Sequence, residues 1–522
     1  MSNWMRLEKL TRLGPLCGSY LNNCRLFHLN HVRLRKRSIR KKMFPFDVQN
    51  RPALTLDPDA QSSLETDSKI KNGSRTLPII NPPEKIAKTV EILFSKDSAE
   101  NPIRPDSYLA AGVKLWNFLH SRKLPLELTQ INHLENQFKR IIIEKEYQNC
   151  PDDLLFEQSD EIERKARKML ESKTNTWKSV VYDDEAAKAY LLARAPFDYS
   201  AVYRTMSEIK KREPDFQPRT IFDFGSGVGT CIWAANSLFG EMSEIFAVDP
   251  SSSMNDLARA ILLQGKTSHS LPAGHFFRLN CPTNNDLTYD LVTSAFTLAE
   301  LPSAKARLTS LDILWRKTHG YLILLEDGSN AGFQILAEAR DYLLQLVEAN
   351  AGRNDQIGKE LHGHLFAPCP HSQKCPRYFE DNIPCNFDTR YENFKLNSIP
   401  NEITHTPKKE KFCYLIFKKG PEPEADKSYQ YPRVVEEPMM RKKHVVCRMC
   451  THRGKLEEFV ATKGPTNSID TRMLYQHVKR IHCGDQLKVQ VQDKSKESLT
   501  YVTWKERKAM WKQMQDEISP TK

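Results

Sequence analysis

The chain has 522 residues, 39% of them hydrophobic, and its 77 Lys and Arg outnumber 65 Asp and Glu for a net charge of +12. That length holds a sizeable core plus one or two further modules, and the absence of any run near the roughly 20 apolar residues that cross a bilayer argues against a membrane-embedded protein. The basic balance suits an anionic partner, whether RNA, DNA or an anionic membrane surface.

Residues 1–46 carry a single acid, Glu8, against Arg6, Lys9, Arg12, Arg25, Arg33, Arg35, Lys36, Arg37, Arg40, Lys41 and Lys42. With Trp4, Leu7, Leu10 and Leu13 at helical spacing, this composition predicts a mitochondrial transit peptide and basic arm. A nuclear-localisation or nucleic-acid-binding arm is the competing use of Arg33 to Lys42. Residues 47–79, broken by Pro52, Pro58 and Pro78, read as a flexible lead-in. From 80 to 210 the apolar spacing predicts a helical module: Ile86, Val90 and Leu93 share one face, and Ile131, Leu134, Phe138 and Ile142 share another. No repeat period is present.

Residues 211–420 form the expected core. Ile221 to Phe224 is a buried-strand pattern that runs into Gly225-Ser226-Gly227-Val228-Gly229 and then the helix-compatible Cys231 to Ala235. Three glycines between a strand and a helix permit a tight turn and let a ligand approach the backbone. A second strand pattern, Ser243 to Val248, ends on Asp249, 26 positions after Asp223, where a carboxylate can accept from two ribose hydroxyls. Nicotinamide dinucleotides and S-adenosylmethionine both meet that geometry. Asp223, an acid just before the glycine turn, leans towards the methyl donor; its competing role is to cap the loop without touching a ligand.

Pro250 and Ser251 turn the chain into the next helix, Phe277 to Cys281 is the candidate adenine-side loop, and Ser294 to Leu298 the candidate reaction side. Further strand patterns are Tyr289 to Phe296 and Gly320 to Glu326. No Asp/Asn-Pro-Pro-Tyr/Phe follows the Val292 strand, and Cys281-Pro282 is the reverse of a Pro-Cys nucleophile. Catalytic residues therefore stay unassigned. Glu300, Glu326 and Asp327 are candidates for moving a proton, weighed against helix capping and loop hydrogen bonding.

The twelve cysteines are irregularly spaced, with no secretory apolar segment before them, which favours reduced thiols, some holding a metal. Cys369, Cys375 and Cys385, beside prolines in a stretch spanning 364–395, form a candidate metal-binding insertion. A distant fourth thiolate would complete zinc or an iron-sulfur cluster. Cys447 and Cys450, with His477 and His482 downstream, make zinc a local alternative, although the interval is too long for an ordinary finger. Residues 421–439 read as a linker, 440–490 as a small C-terminal module supplying a metal ligand, and 491–522 as a basic aromatic tail. Candidate RNA contacts are Lys408, Lys409, Lys411, Lys418, Lys419, Arg441, Lys442 and Lys443, plus the tail with Tyr501, Trp504 and Trp511.

Taken together, Asp223-Phe-Gly-Ser-Gly-Val-Gly, Tyr289-Asp-Leu-Val-Thr-Ser-Ala-Phe, Phe366-Ala-Pro-Cys369-Pro-His and His444-Val-Val-Cys-Arg-Met-Cys450 resemble the methyltransferase-like protein 17 family of mitochondrial small-ribosomal-subunit assembly factors, which are related to bacterial ribosomal small-subunit methyltransferase-like proteins. The resemblance spans about residues 80 to 485. It implies an α/β, Rossmann-like class I S-adenosylmethionine methyltransferase fold with an N-terminal helical module, a cysteine-rich insertion and a small C-terminal β-containing extension. It implies S-adenosylmethionine bound by the central fold, for which the residue pattern offers Asp223, Gly225, Ser226, Gly227, Gly229, Asp249, Pro250 and Ser294. It further implies a 4Fe-4S cluster on Cys369, Cys375, Cys385 and Cys450, with Cys447 as the alternative fourth ligand and zinc as the alternative metal.

The implied partners are immature small-subunit rRNA and the ribosomal proteins of an assembly intermediate in the mitochondrial matrix, with no sign of a homo-oligomer. Methyltransferase activity is expected to be weak or absent; the alternative is an active methyltransferase of the mitochondrial small-subunit rRNA.

Overall fold

The computed structural model describes residues 53–56, 77–100, 105–125, 128–147, 158–173, 179–266, 269–282, 287–350, 362–378, 383–396, 407–423, 427–463 and 469–492. The expected transit peptide and the basic aromatic tail beyond Gln492 lie outside these residues. The chain divides into two compact units: a larger one from Leu77–Pro368 with Asn382–Glu422, and a smaller one from Arg40–Thr76, Cys369–Asp381 and Pro423–Lys522.

The first described strand, β1 (Ala53–Leu56), belongs to the smaller unit. The larger unit opens with helices α1 (Glu84–Glu100), α2 (Pro105–Ser121), α3 (Leu128–Glu146), α4 (Ser159–Lys173) and α5 (Asp184–Ala193). Helices α3 and α4 pack as a pair around Phe138, Ile142, Ile162 and Ala166, the face that the sequence spacing singles out in α3. Helix α6 (Ala195–Arg212) begins with a proline in its first turn, where a missing N–H costs nothing.

A sheet follows, built from β2 (Thr220–Phe224), β3 (Glu244–Val248), β4 (His275–Arg278), β5 (Tyr289–Ala295), β6 (Thr318–Asp327), β7 (Gly363–Ala367), β8 (Phe387–Tyr391) and β9 (Lys408–Lys419). The strand order is β4-β3-β2-β5-β6-β9-β7, with β8 also pairing on β9. Strands β2 to β6 run parallel, whereas β9 enters antiparallel between β6 and β7. A doubly wound sheet with this late reversed strand is the Rossmann-like class I methyltransferase arrangement. Ile221, Phe222, Leu291, Val292 and Leu322 to Leu325 are buried, as expected for strands covered on both faces. Helices α7 (Thr230–Phe239), α8 (Ser252–Leu262), α9 (Ala304–Lys317) and α10 (Asn330–Asn350) complete this unit.

Part of the stretch read as a cysteine insertion is sheet. His364 to Ala367 lies in β7 and Phe387 to Tyr391 in β8, with Leu365, Phe366, Phe387 and Tyr391 buried. Cys369–Asp381 belongs to the smaller unit. The prolines and cysteines beside β7 and β8 invite a metal-site reading instead of bounding a strand.

The smaller unit holds β10 (Arg433–Val434), β11 (Met439–Met440), β12 (His444–Cys450), β13 (Leu456–Thr462), α11 (Ile469–Val478) and β14 (Val489–Gln492). Its core contains Val434, Val445, Cys447, Met449, Phe459, Leu474, Val478 and Leu487. Strand β1, from the expected flexible lead-in, pairs antiparallel with β14, Ala53 opposite Gln492. No described helix is long and apolar enough to cross a membrane.

Candidate functional site

The glycine turn sits at the carboxyl end of β2, where the sheet changes direction from β3 on one side to β5 on the other, the position at which open α/β sheets bind ligands. Gly225, Gly227 and Gly229 all have positive φ, +72°, +51° and +93°. Gly225 N–H donates to Val248 O at 2.8 Å, fixing the turn against the end of β3. Asp249 then ties the loop in place: Gly227 N–H donates to its Oδ2 at 2.9 Å and Ser251 N–H to its Oδ1 at 2.9 Å. Gly225 and Asp249 therefore belong to one local structure. Pro250 is half-buried, and Ser251 caps α8 by accepting from Met254 N–H.

A Cβ at Gly227 would meet open space, whereas one at Gly225 would stand 2.1 Å from Thr297 Oγ1. The first glycine thus makes room for the loop after β5 rather than only for a ligand. Ser226 and Ser294 are buried, and among the described residues neither hydroxyl finds a hydrogen-bond partner. Buried polar groups are normally satisfied, so two such hydroxyls in and beside the loop fit a site that meets its ligand with polar contacts.

Asp223 is fully buried, and its Oδ1 accepts from Thr293 Oγ1 of β5 at 2.7 Å. Burial pushes its carboxyl up to about 7, partly offset by Thr293 and Cys231. Burial likewise pushes Asp249 up to about 6 against the Ser251 and Gly227 amides.

A cleft of roughly 530 Å³, part of it open to solvent, is lined by Arg122, Tyr182, Arg194, Phe296, Glu300, Glu326 and Asp327 among others, and by none of the expected cofactor-binding residues. Its walls are ion-paired. Arg122 Nη1 is 2.7 Å from Glu300, and Arg194 bridges Asp198 and Asp327 at 2.8 Å each. The Arg194 guanidinium also stacks over Phe197 and Phe296, 4.7 Å from each ring centre. Phe296, the first residue after β5, has φ +57°, a conformation a bulky side chain adopts only when its surroundings hold it there.

Glu326 is buried and pushed up to about 8 by desolvation and by the neighbouring Asp327 charge, while the Ala299 and Leu298 amides oppose the rise. Glu300 is raised by burial against Arg122. Of the three acids considered for proton transfer, Glu300 and Asp327 hold arginines and Glu326 holds the loop after β5. Thr297 falls within the expected reaction side, whereas Arg122 and Arg194 went unread because Glu300 and Asp327, which they pair with, are distant in the chain.

All the described cysteines are free thiols. Cys369, Cys375 and Cys450 belong to the smaller unit and Cys385 to the larger, where burial first and then the Cys385 charge push the Cys413 thiol up. His371, between Cys369 and Cys375, places Nε2 3.3 Å from Cys450 Sγ. Cys447 instead faces the apolar core, where burial pushes its thiol up to about 12. Among the described residues, no three His, Cys, Asp or Glu side chains are gathered as a metal site. Four thiols are the donor set that either zinc or an iron-sulfur cluster takes.

Residues 184–488 match the family model described as mitochondrial small ribosomal subunit Rsm22, more than half of the chain. Over 396 residues the chain is 32% identical to the human mitochondrial ribosome assembly protein METTL17, covering 75% of this chain and 80% of that one. The chain belongs to the Rsm22 family. It is also 23% identical to the fission yeast Rsm22-cox11 tandem protein 2, over 54% of this chain and 41% of that protein, and 19% identical to budding yeast RSM22, over 55% and 64%.

Among solved structures, a putative class I S-adenosylmethionine-dependent methyltransferase from Listeria monocytogenes covers 66% of this Rsm22-family chain and 90% of its own, at 12% identity and a TM-score of 0.30. The Synechocystis magnesium protoporphyrin IX methyltransferase with bound SAM covers 47% and 87%, at 12% and 0.27. At these scores the strand order, not the likeness, defines the fold.

The candidate RNA-contacting lysines of this family member divide. Lys418 pairs with Glu213, Lys419 lies 4.1 Å over the Trp315 ring, and Lys409 pairs with Asp388 at 3.0 Å. Arg441, Lys442 and Lys443 are exposed.

Proposed function

We propose that this protein is an assembly factor of the small ribosomal subunit in the mitochondrial matrix. It binds immature small-subunit rRNA and the ribosomal proteins of an assembly intermediate, retains S-adenosylmethionine binding, and has little or no methyltransferase activity. The supporting observation is the 32% identity to a mitochondrial ribosome assembly protein across most of both chains. Membership of a small-subunit family over residues 184–488 points the same way.

S-adenosylmethionine would lie along the carboxyl ends of β2 and β3. Gly225, Ser226, Gly227 and Gly229 let it approach the backbone, Asp249 and Pro250 face its ribose, Ser294 adds a polar contact, and Asp223 braces the turn through Thr293. The bound molecule supplies a transferable methyl group. Weak turnover is supported by the residues after β5: Phe296-Thr297-Leu298 replaces an amine-positioning motif, and Phe296 is pinned under Arg194.

Cys369, Cys375, Cys385 and Cys450 are the proposed ligands of a 4Fe-4S cluster, which would cross-link separated loops and couple their folding to metal. Zinc on the same thiols is the alternative metal. Iron, sulfide and zinc analysis of anaerobically purified protein decides between them.

RNA cross-linking of the tagged protein in mitochondria tests the whole reading. Cross-links concentrated on small-subunit rRNA, with assembly proteins co-purified, are expected; an even spread over unrelated RNAs would overturn it. An active rRNA methyltransferase would instead leave a methylated nucleotide that vanishes in a Gly225 variant still bound to the particle.

A further inference from the structure

We propose that His371 is a positioning residue for the Cys450 sulfur, donating an Nε2–H hydrogen bond that fixes where that sulfur points. The inference rests on the iron-sulfur reading above and adds to it a group outside the four thiols.

Strand β12 alternates its faces, so Cys447 and Cys450, three positions apart, point to opposite sides. Val445, Cys447 and Met449 turn into the apolar core with Phe459 and Leu474. Cys450 turns towards the loop that carries Cys369, His371 and Cys375, and Nε2 of His371 reaches its sulfur at 3.3 Å. Both residues are less than a tenth exposed, so water competes weakly for this contact and the low local dielectric strengthens it.

The direction of the bond follows from chemistry. While Cys450 keeps its proton, either atom can donate. A metal-bound sulfur has lost its proton to solvent and can only accept, so His371 must be the donor at Nε2. A donor aimed at a ligand sulfur fixes the ligand's rotamer and disperses its negative charge. The more negative, reduced state of a cluster is stabilised most, so the bond raises the reduction potential.

The test uses the full chain purified anaerobically, with His371→Ala and His371→Gln beside the wild type. The readouts are iron and sulfide per chain, the rate of iron loss to a chelator, and the midpoint potential followed by electron paramagnetic resonance. His371→Ala is expected to lose iron on the order of ten-fold faster and to have a lower potential. His371→Gln, which keeps an N–H donor of similar reach, is expected to recover part of both and serves alone if the alanine variant does not fold. Wild-type protein without iron and sulfide overturns the cluster reading and this inference with it. A loaded wild type whose variants keep its potential and its rate of iron loss overturns the role of His371 alone.

Discussion

Two glycines two positions apart carry different constraints. At Gly225 an added methyl combines φ +72° with a 2.1 Å clash on Thr297, whereas at Gly227 it combines φ +51° with open space. Gly225→Ala is therefore expected to destabilise the larger unit by about 2 kcal/mol or more, and Gly227→Ala by about 1 kcal/mol. Chemical denaturation measures both, and equal losses would reject the role given to Thr297.

Glu326 supplies a pH prediction with a definite sign. Its folded-state pKa of about 8 lies above the ordinary 4.5, so the folded protein holds this proton more tightly than the unfolded chain. The associated stability is present below about pH 4.5 and drains away as pH rises towards 8. Glu326→Gln removes the ionisation while keeping an acceptor for the loop amides. Its denaturation midpoint should exceed that of the wild type at pH 8 and nearly match it at pH 5. A variant no better than wild type at pH 8 would show that the carboxylate has another counter-charge.

At the scale of elements, Ser251 serves two structures at once. It caps α8 at Met254 N–H, 3.1 Å away, and donates to Tyr182 O at 2.6 Å. Ser251→Ala should cost about 1–2 kcal/mol, with hydrogen exchange accelerating first in the opening turn of α8. What the sequence discloses follows the same division between local and distant partners. The segment from β2 through the glycines to α7, and Asp249 at the end of β3, are legible because hydrophobic runs and turn residues lie next to one another.

The resting place of Thr297, the Arg194 bridge and the reversed strand β9 depend on partners scores of positions away, which no local pattern encodes. Strands β7 and β8, no shorter than β2 and β3, escape notice because the prolines and cysteines beside them invite a metal-site reading instead of bounding a strand. Cys447 and Cys450 are indistinguishable by spacing until strand alternation and His371 separate them.

At the scale of the molecule, if the protein binds rRNA as proposed, the +12 charge makes that affinity a function of salt. Neutralising the exposed Arg441, Lys442 and Lys443 together should flatten a plot of log affinity against log salt by roughly 2 if all three meet single-stranded phosphates. Filter binding to small-subunit rRNA fragments at several salt concentrations measures the slope, and an unaltered slope removes this cluster from the interface.

The pairing of Ala53 to Leu56 with Val489 to Gln492 sets a condition on the chain's history. A strand whose mate lies hundreds of residues later in the chain stays unpaired while everything between the two is made, so the smaller unit cannot close before Val489 to Gln492 is available. It also limits trimming: a cut on the carboxyl side of Ala53 would cost the protein a strand.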